Sequence, residues 1–226
     1  LLGVVVATFF LAHAGPGGPF DKERPMPAEV KKQVEAYYGL DQPLHVQLGN
    51  YIGNLAHGSL GPSMKYPGWT VNQIIGARIP VSVILGSLSL LIAILVGIPI
   101  GVIAASRPNT WMDRLPMGLA LIGICVPSFV FGPLLALVFS LQLGWFPPCG
   151  WGSVSHLVLP SLALGLITAA PLARLTRGEL MEVYTLDYVR TARAKGVSPT
   201  RVRFVHALRN GILPVVTYLG PAAAAL

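Results

Sequence analysis

DYVRTARAKGVSPTRVRFVHALRNGILP, residues 187–214, is a charged stretch set between apolar ones, and the reading of this chain turns on it. Asp187 is placed to cap a short helix that begins at Tyr188, and Gly196 stands where a left-handed residue closes it. Arg190, Arg193 and Lys195 lie in that helix, the last two near the C-terminal end, where the dipole favours cations. Ser198 and Pro199 then read as an N-cap and first-turn proline. The helix they open runs through Val202, Val205 and Leu208 towards Pro214. A helix of about ten residues is marginal alone in water, so the first one needs a partner surface. Ala192 and Ala194 leave room for a close approach. Charge alone reads as a solvated or membrane-surface face; the ordered succession of cap, glycine corner and second helix argues for a more specific role.

Outward from this stretch the chain is apolar. Hydrophobic residues make up 53% and charged residues 11%, with mean hydropathy +0.64. A soluble domain carries about a quarter charged residues, so the composition belongs in a membrane. The net charge of +7 invites a nucleic-acid reading, but the charges cluster in loops beside apolar runs, which speaks against it. Cys125 falls in an apolar run and Cys149 in a Pro/Gly loop, and no disulfide is expected between them. His45 and His57 read as ordinary loop polarity, because no Cys or paired carboxylate stands near them at metal-ligand spacing. No catalytic constellation and no Gly-rich phosphate loop with Lys and Ser/Thr appears. Neither an enzyme nor a bound cofactor is expected.

Residues 79–106 contain no Asp, Glu, Lys, Arg or His. As a helix that length is on the order of 42 Å, more than the hydrocarbon core of a bilayer. Gly86, Gly97 and Gly101 offer close-packing positions, and Pro99 suggests a kink. Residues 115–155 again lack such groups, and Trp145 and Trp151 mark an interfacial end, which gives a span over about 115–143. Pro127–Ser128 is expected to kink it, and Gly132–Pro133 again, either for packing or to line a pathway. Residues 157–173 form the next span, and 211–226 begin another. Residues 1–14 read as a partial first span. The small-residue Ala12–His13–Ala14 also suits a signal cleavage site, but no basic leader precedes it. The expected organisation is 1–14, then an extracytoplasmic loop region 15–75, then a transmembrane domain 76–226 whose loop 174–210 carries the opening stretch. Within 15–75, residues 29–38 suit a short helix ended by Gly39.

Charge orients the spans. Loop 13–78 has six basic against five acidic residues, while loops 107–114 and 174–210 together have ten against four. The positive-inside rule puts the second group in the cytoplasm. Proton-coupled transporters carry ionisable groups within their spans, and the clean runs here argue against that class.

RTARAKG, Arg190 to Gly196, resembles the first half of a motif found in the permease subunits of binding-protein-dependent ABC importers. That motif reads E-A-A, three residues, G, nine residues, I-x-L-P. Here Arg190 and Thr191 replace Glu and the first Ala, HALR stands at His206 to Arg209, and Leu213–Pro214 comes later. With these departures, DYVRTARAKG, HALRN and LPVVT are similar to the dipeptide and oligopeptide permease family, including its nickel-importing relatives. PGGP, Pro16 to Pro19, resembles the PGDP that closes the first span there, with Gly18 in place of Asp, and residues 39–61 are similar to the family's external loop.

The resemblance implies an all-α polytopic transmembrane helix bundle of the type I ABC importer permease kind, truncated at both ends, in the cytoplasmic membrane. It implies that loop 174–210 carries a coupling helix that docks on an ATP-hydrolysing subunit. Asp187, Tyr188, Arg190, Thr191, Ala192, Arg193, Ala194, Lys195 and Gly196 then form the coupling site. Two ATP-binding subunits, a second homologous permease and an extracytoplasmic solute-binding protein are the implied partners, beside the lipid bilayer. Peptides are the implied cargo, with nickel or another small solute as the alternative. A membrane scaffold or sensor that holds a cytoplasmic partner on the same basic loop is the reading from another class.

Overall fold

The computed structural model describes residues 2–15 and 28–226. PGGP and the charges at 21–24 lie outside the described residues. Among the described residues the chain is all-α, with one isolated antiparallel bridge between Pro62 and Thr70. It divides into two compact units, Leu1–Pro80 and Val81–Leu226.

The first unit contains α1 (Leu2–Ala14), α2 (Ala28–Tyr37) and α3 (Leu44–Ala56), and α4 (Val71–Ser106) begins in it. α2 ends in a turn at Gly39, whose φ of 69° is left-handed and whose N–H donates to the Ala36 carbonyl at 3.1 Å. Phe9 of α1 stacks on Tyr51 of α3, and His13 Nε2 meets Gln47 Oε1 at 3.2 Å. Asn72 ties down the loop before α4: its Oδ1 accepts the Leu60 N–H and its Nδ2 donates to the Gly58 carbonyl, both at 2.7 Å. α4 starts with a reciprocal capping box. Thr70 Oγ1 accepts the Gln73 N–H at 3.2 Å and Gln73 Oε1 accepts the Thr70 N–H at 3.0 Å, which satisfies two donors that a helix start leaves orphaned.

In the second unit α4 packs against α7 (Val154–Val183) through small residues. Ser89, Ala93, Gly97, Gly101 and Ala105 repeat every fourth residue along α4, and all five are buried. A Cβ at Gly97 would stand 2.8 Å from the Ala169 carbonyl oxygen, and one at Gly101 would stand 2.6 Å from that of Ala173. Gly165 of α7 faces Ile92 and the Ser89 carbonyl in the same way. Gly86 is different, since its Cβ would make only ordinary contact at 3.8 Å. The opposite side of α4 carries Leu91, Leu95 and Ile103, all at least half exposed. Small residues inside and large apolar residues outside invert the pattern of a water-soluble bundle. They suit helices that pack by close backbone approach in lipid.

Among the described residues two helices, α4 and α7, are long and apolar enough to cross a membrane. α4 passes Pro99 as one continuous helix. α7 continues ten residues beyond the expected end of its span at Ala173. The expected single span over 115–143 is two helical segments, α5 (Trp111–Cys125) and α6 (Ser128–Leu135) with its π-helical continuation Ala136–Gln142, bent by 109°. Val126 and Pro127 are extended there, with ψ of 120° and 142°. The residue before a proline is disfavoured in the α region, which is why the helix stops at this point. Beside the break the Val126 N–H reaches the Ile122 carbonyl, and the Pro127 carbonyl accepts from Val130 and Phe131. Gly132–Pro133 lies inside α6 without a break. α11 (Leu213–Ala225) completes the unit and buries Val215 among Ala93, Ala169 and Leu172.

Candidate coupling surface

α8 (Asp187–Ala194) is two turns long and strongly amphipathic in charge. What holds so short a helix is its inner face. Val189 and Ala192 are buried in one cluster with Val102 and Ala105 of α4, Leu180 and Val183 of α7, and Val202 and Ala207 beyond. Ala192 therefore anchors α8 to its own chain, and Ala194 is exposed. Ala194 and its neighbours are what α8 leaves open to a close approach.

Both ends of α8 are tied by the backbone. Asp187 is the first helical residue, not the cap. Leu186 holds the cap position, its carbonyl accepting the Arg190 N–H at 3.2 Å, and no side chain caps the helix. The Asp187 carboxylate instead stands 3.6 Å from Arg190 Nη1, an exposed pair that contributes little. At the other end Gly196 has φ 76°. Its N–H donates to the Arg193 carbonyl at 3.0 Å, and the Val197 N–H donates to the Ala192 carbonyl at 3.2 Å. These two bonds make a Schellman closure, and the left-handed residue it needs is the glycine.

Behind the corner, α9 (Pro199–Arg201) follows Ser198, which caps it by position without a side-chain bond. It runs on through a π-helical turn, Val202–Ala207, into α10 (Leu208–Gly211). Tyr188 locks the two helices together: its hydroxyl accepts from Asn210 Nδ2 at 2.9 Å and donates to the His206 carbonyl at 3.3 Å. Gly211 lies against Leu180, where a Cβ would approach to 2.9 Å.

Asp187, Arg190, Thr191, Ala194 and Lys195 are thus presented outward on a helix whose orientation is fixed from three sides. Thr191 spends its hydroxyl on the Asp187 carbonyl. Arg193 is turned otherwise, its guanidinium lying 5.5 Å from the centre of the Tyr184 ring. Pro127 and Ser128 stand exposed at the α5–α6 break, with Phe129 beside them 77% exposed. The structure does not bring them together with α8. Cys125 and Cys149 are both free and exposed. Among the described residues no group of three or more His, Cys, Asp or Glu is placed to hold a metal ion.

One structural pair escaped the sequence reading. Arg177 of α7 grips Asp113 of α5 with two prongs, and Asp113 is 3% exposed. The Asn109 N–H donates to the same carboxylate at 2.8 Å, with Asn109 itself at φ 62°. The one acidic residue in an otherwise basic turn was the available signal.

An all-α chain with lipid-suited helices, a broken helix pair and a rigidly held basic helix between apolar segments has the form of a transporter's membrane subunit. Residues 97–226 match the family described as binding-protein-dependent transport system inner membrane component. The oligopeptide transport system permease protein OppB of Salmonella typhimurium is 44% identical over 221 residues, covering 97% of this chain and 72% of that protein. The dipeptide transport system permease protein DppB of Bacillus subtilis is 42% identical over 226 residues, covering 100% and 73%. The glutathione transport system permease protein GsiC of Salmonella typhimurium is 44% identical over 224 residues, covering 97% and 72%. The chain belongs to the binding-protein-dependent transport system inner membrane component family, whose members are permease subunits and not ATPases.

Proposed function

We propose that this chain is the permease subunit of an ABC importer that carries di- or oligopeptides inward by alternating access. Two ATP-binding subunits, a second homologous permease and an extracytoplasmic solute-binding protein complete the assembly. The observation that carries this reading is α8, a basic helix pinned by Val189 and Ala192, with Arg190 and the following Lys195 turned out. In this reading loop 174–210 is cytoplasmic, and residues 15–75 and 144–156 meet the binding protein.

A push on α8 enters the cluster that also holds the ends of α4 and α7, because Val189 and Ala192 pack on Val102, Ala105, Leu180 and Val183. Arg177 then links α7 to α5 through Asp113, and α5 ends at the break before Pro127. Close-packed interiors pass such displacements on instead of absorbing them. The break at Pro127–Ser128 is where the membrane segments are free to re-orient along the pathway.

The test is reconstitution of the whole assembly in proteoliposomes with a labelled dipeptide. ATP-dependent accumulation that requires the binding protein is the expected result. A nickel signal without peptide uptake selects the small-solute alternative, and no flux of either selects the scaffold or sensor.

A further inference from the structure

A cavity of about 620 Å³ opens between the turn after α4 and the helices that follow α8. Arg107, Arg193 and Arg203 line it, together with Tyr184, Val197 and Val202. None of the three guanidiniums is paired with a carboxylate among the described residues. Arg107 reaches only the Met112 sulfur and Arg203 only the Pro199 carbonyl, both at 3.3 Å. Three unneutralised cations around one cavity repel one another. A bound anion relieves that repulsion.

We propose that this cavity holds the phosphate headgroup of an anionic phospholipid. This rests on the reading of loops 107–114 and 174–210 as cytoplasmic, and it removes Arg193 from the cations available to an ATPase. The choice of a lipid over an acidic protein side chain follows from location. Ala105 and Ser106, the last residues of apolar α4, also line the cavity, and the turn that carries Arg107 leads directly into apolar α5. That places the guanidiniums at headgroup depth. Phe204, next to Arg203, is 54% exposed, and Ile103 and Trp111, in the turns on either side of Arg107, are 51% and 70% exposed; they give apolar surface near a charged site. Basic pockets between membrane helices on the cytoplasmic side take such headgroups.

The test uses the complete importer complex in detergent, supplied with equal phosphatidylglycerol and phosphatidylcholine, with retained lipid counted by native mass spectrometry. The complex is expected to retain phosphatidylglycerol preferentially. Arg107→Gln and Arg203→Gln are each expected to cut that preference about fivefold, with the ATP-binding subunits still bound. Added inorganic phosphate at millimolar concentration is expected to leave the lipid in place. Unchanged preference in both variants overturns the proposal, as does displacement of the lipid by inorganic phosphate. Loss of the ATP-binding subunits from these variants with lipid retention intact also overturns it and assigns the cavity to a protein carboxylate. Arg190→Gln, outside the cavity, separates this from the coupling reading: it is expected to weaken ATPase association without altering lipid retention.

Discussion

Arg177 and Asp113, 64 residues apart in the chain, meet through two parallel hydrogen bonds, Nε to Oδ1 at 2.5 Å and Nη2 to Oδ2 at 2.7 Å. The Asp113 side chain is 4% exposed and that of Arg177 is 27% exposed. Breaking such a pair from one side strands a charge. Asp113→Ala is therefore expected to destabilise the protein by about 3 kcal/mol, read as earlier loss of the monodisperse species on heating in detergent. The exchange Asp113→Arg with Arg177→Asp is expected to recover part of the loss. Equal damage from the exchange and from the sum of the single changes would show that the two residues act independently.

The α4–α7 crossing makes a sharper steric prediction. Gly101→Ala places a methyl 2.5 Å from Thr176 Cβ, and overpacking of this kind costs about 1–3 kcal/mol. Gly118→Ala, in α5 with nothing within 4 Å, is expected to be neutral or to stabilise by less than about 1 kcal/mol. The comparison is a thermal-stability assay of the two purified variants. Equal behaviour would mean that the close approach at Gly101 is not a feature of the folded protein.

Gly196 tests whether the corner after α8 transmits force. Gly196→Val strains a residue at φ 76° by on the order of 1–2 kcal/mol, which is enough to loosen the end of α8 without unfolding the membrane segments. ATP hydrolysis with peptide uptake reduced several-fold and membrane insertion intact is the expected result. Gly196→Asn is expected to retain more uptake, because Asn tolerates the left-handed region. Wild-type uptake in the valine variant would rule out the corner as part of the coupling device.

Much of this architecture was legible because lipid imposes simple demands. The run without ionisable side chains at 79–106 lies within α4, since a segment in hydrocarbon must satisfy its backbone internally. Gly39 and Gly196 were readable as closures, because only a left-handed residue ends those helices as observed. The extent of α7 was not legible. Arg174 reads as the end of a span, yet the helix continues through Arg177, whose charge is met by Asp113 far away in sequence. Asp187 has the right chemistry for a cap, but Leu186 occupies that position because Val189 and Ala192 must point into the cluster, and burial set the register. The same burial removed Ala192 from the exposed face of α8. The capping box of Thr70 and Gln73 was present in the sequence as T-x-x-Q and was not used. The π-helical turns at Ala136–Gln142 and Val202–Ala207 left no signal in residue type.

The two native cysteines allow the orientation to be read directly. Cys149 is exposed between α6 and α7. In right-side-out vesicles of a Cys125→Ser variant, a membrane-impermeant maleimide is expected to label Cys149. In a cysteine-free background, Lys195→Cys is expected to label only after permeabilisation. The reverse pattern would invert the topology and exclude α8 from contact with a cytoplasmic ATPase.

The most direct measurement is a photo-crosslink from α8 in living cells. A benzophenone amino acid at Thr191, on the exposed face, is expected to give one dominant adduct with an ATP-binding subunit, which weakens when Arg190 and Lys195 are changed to Glu. Adducts only with lipid or with this chain, and none with an ATPase in cells that are importing peptide, would contradict α8 as the coupling helix.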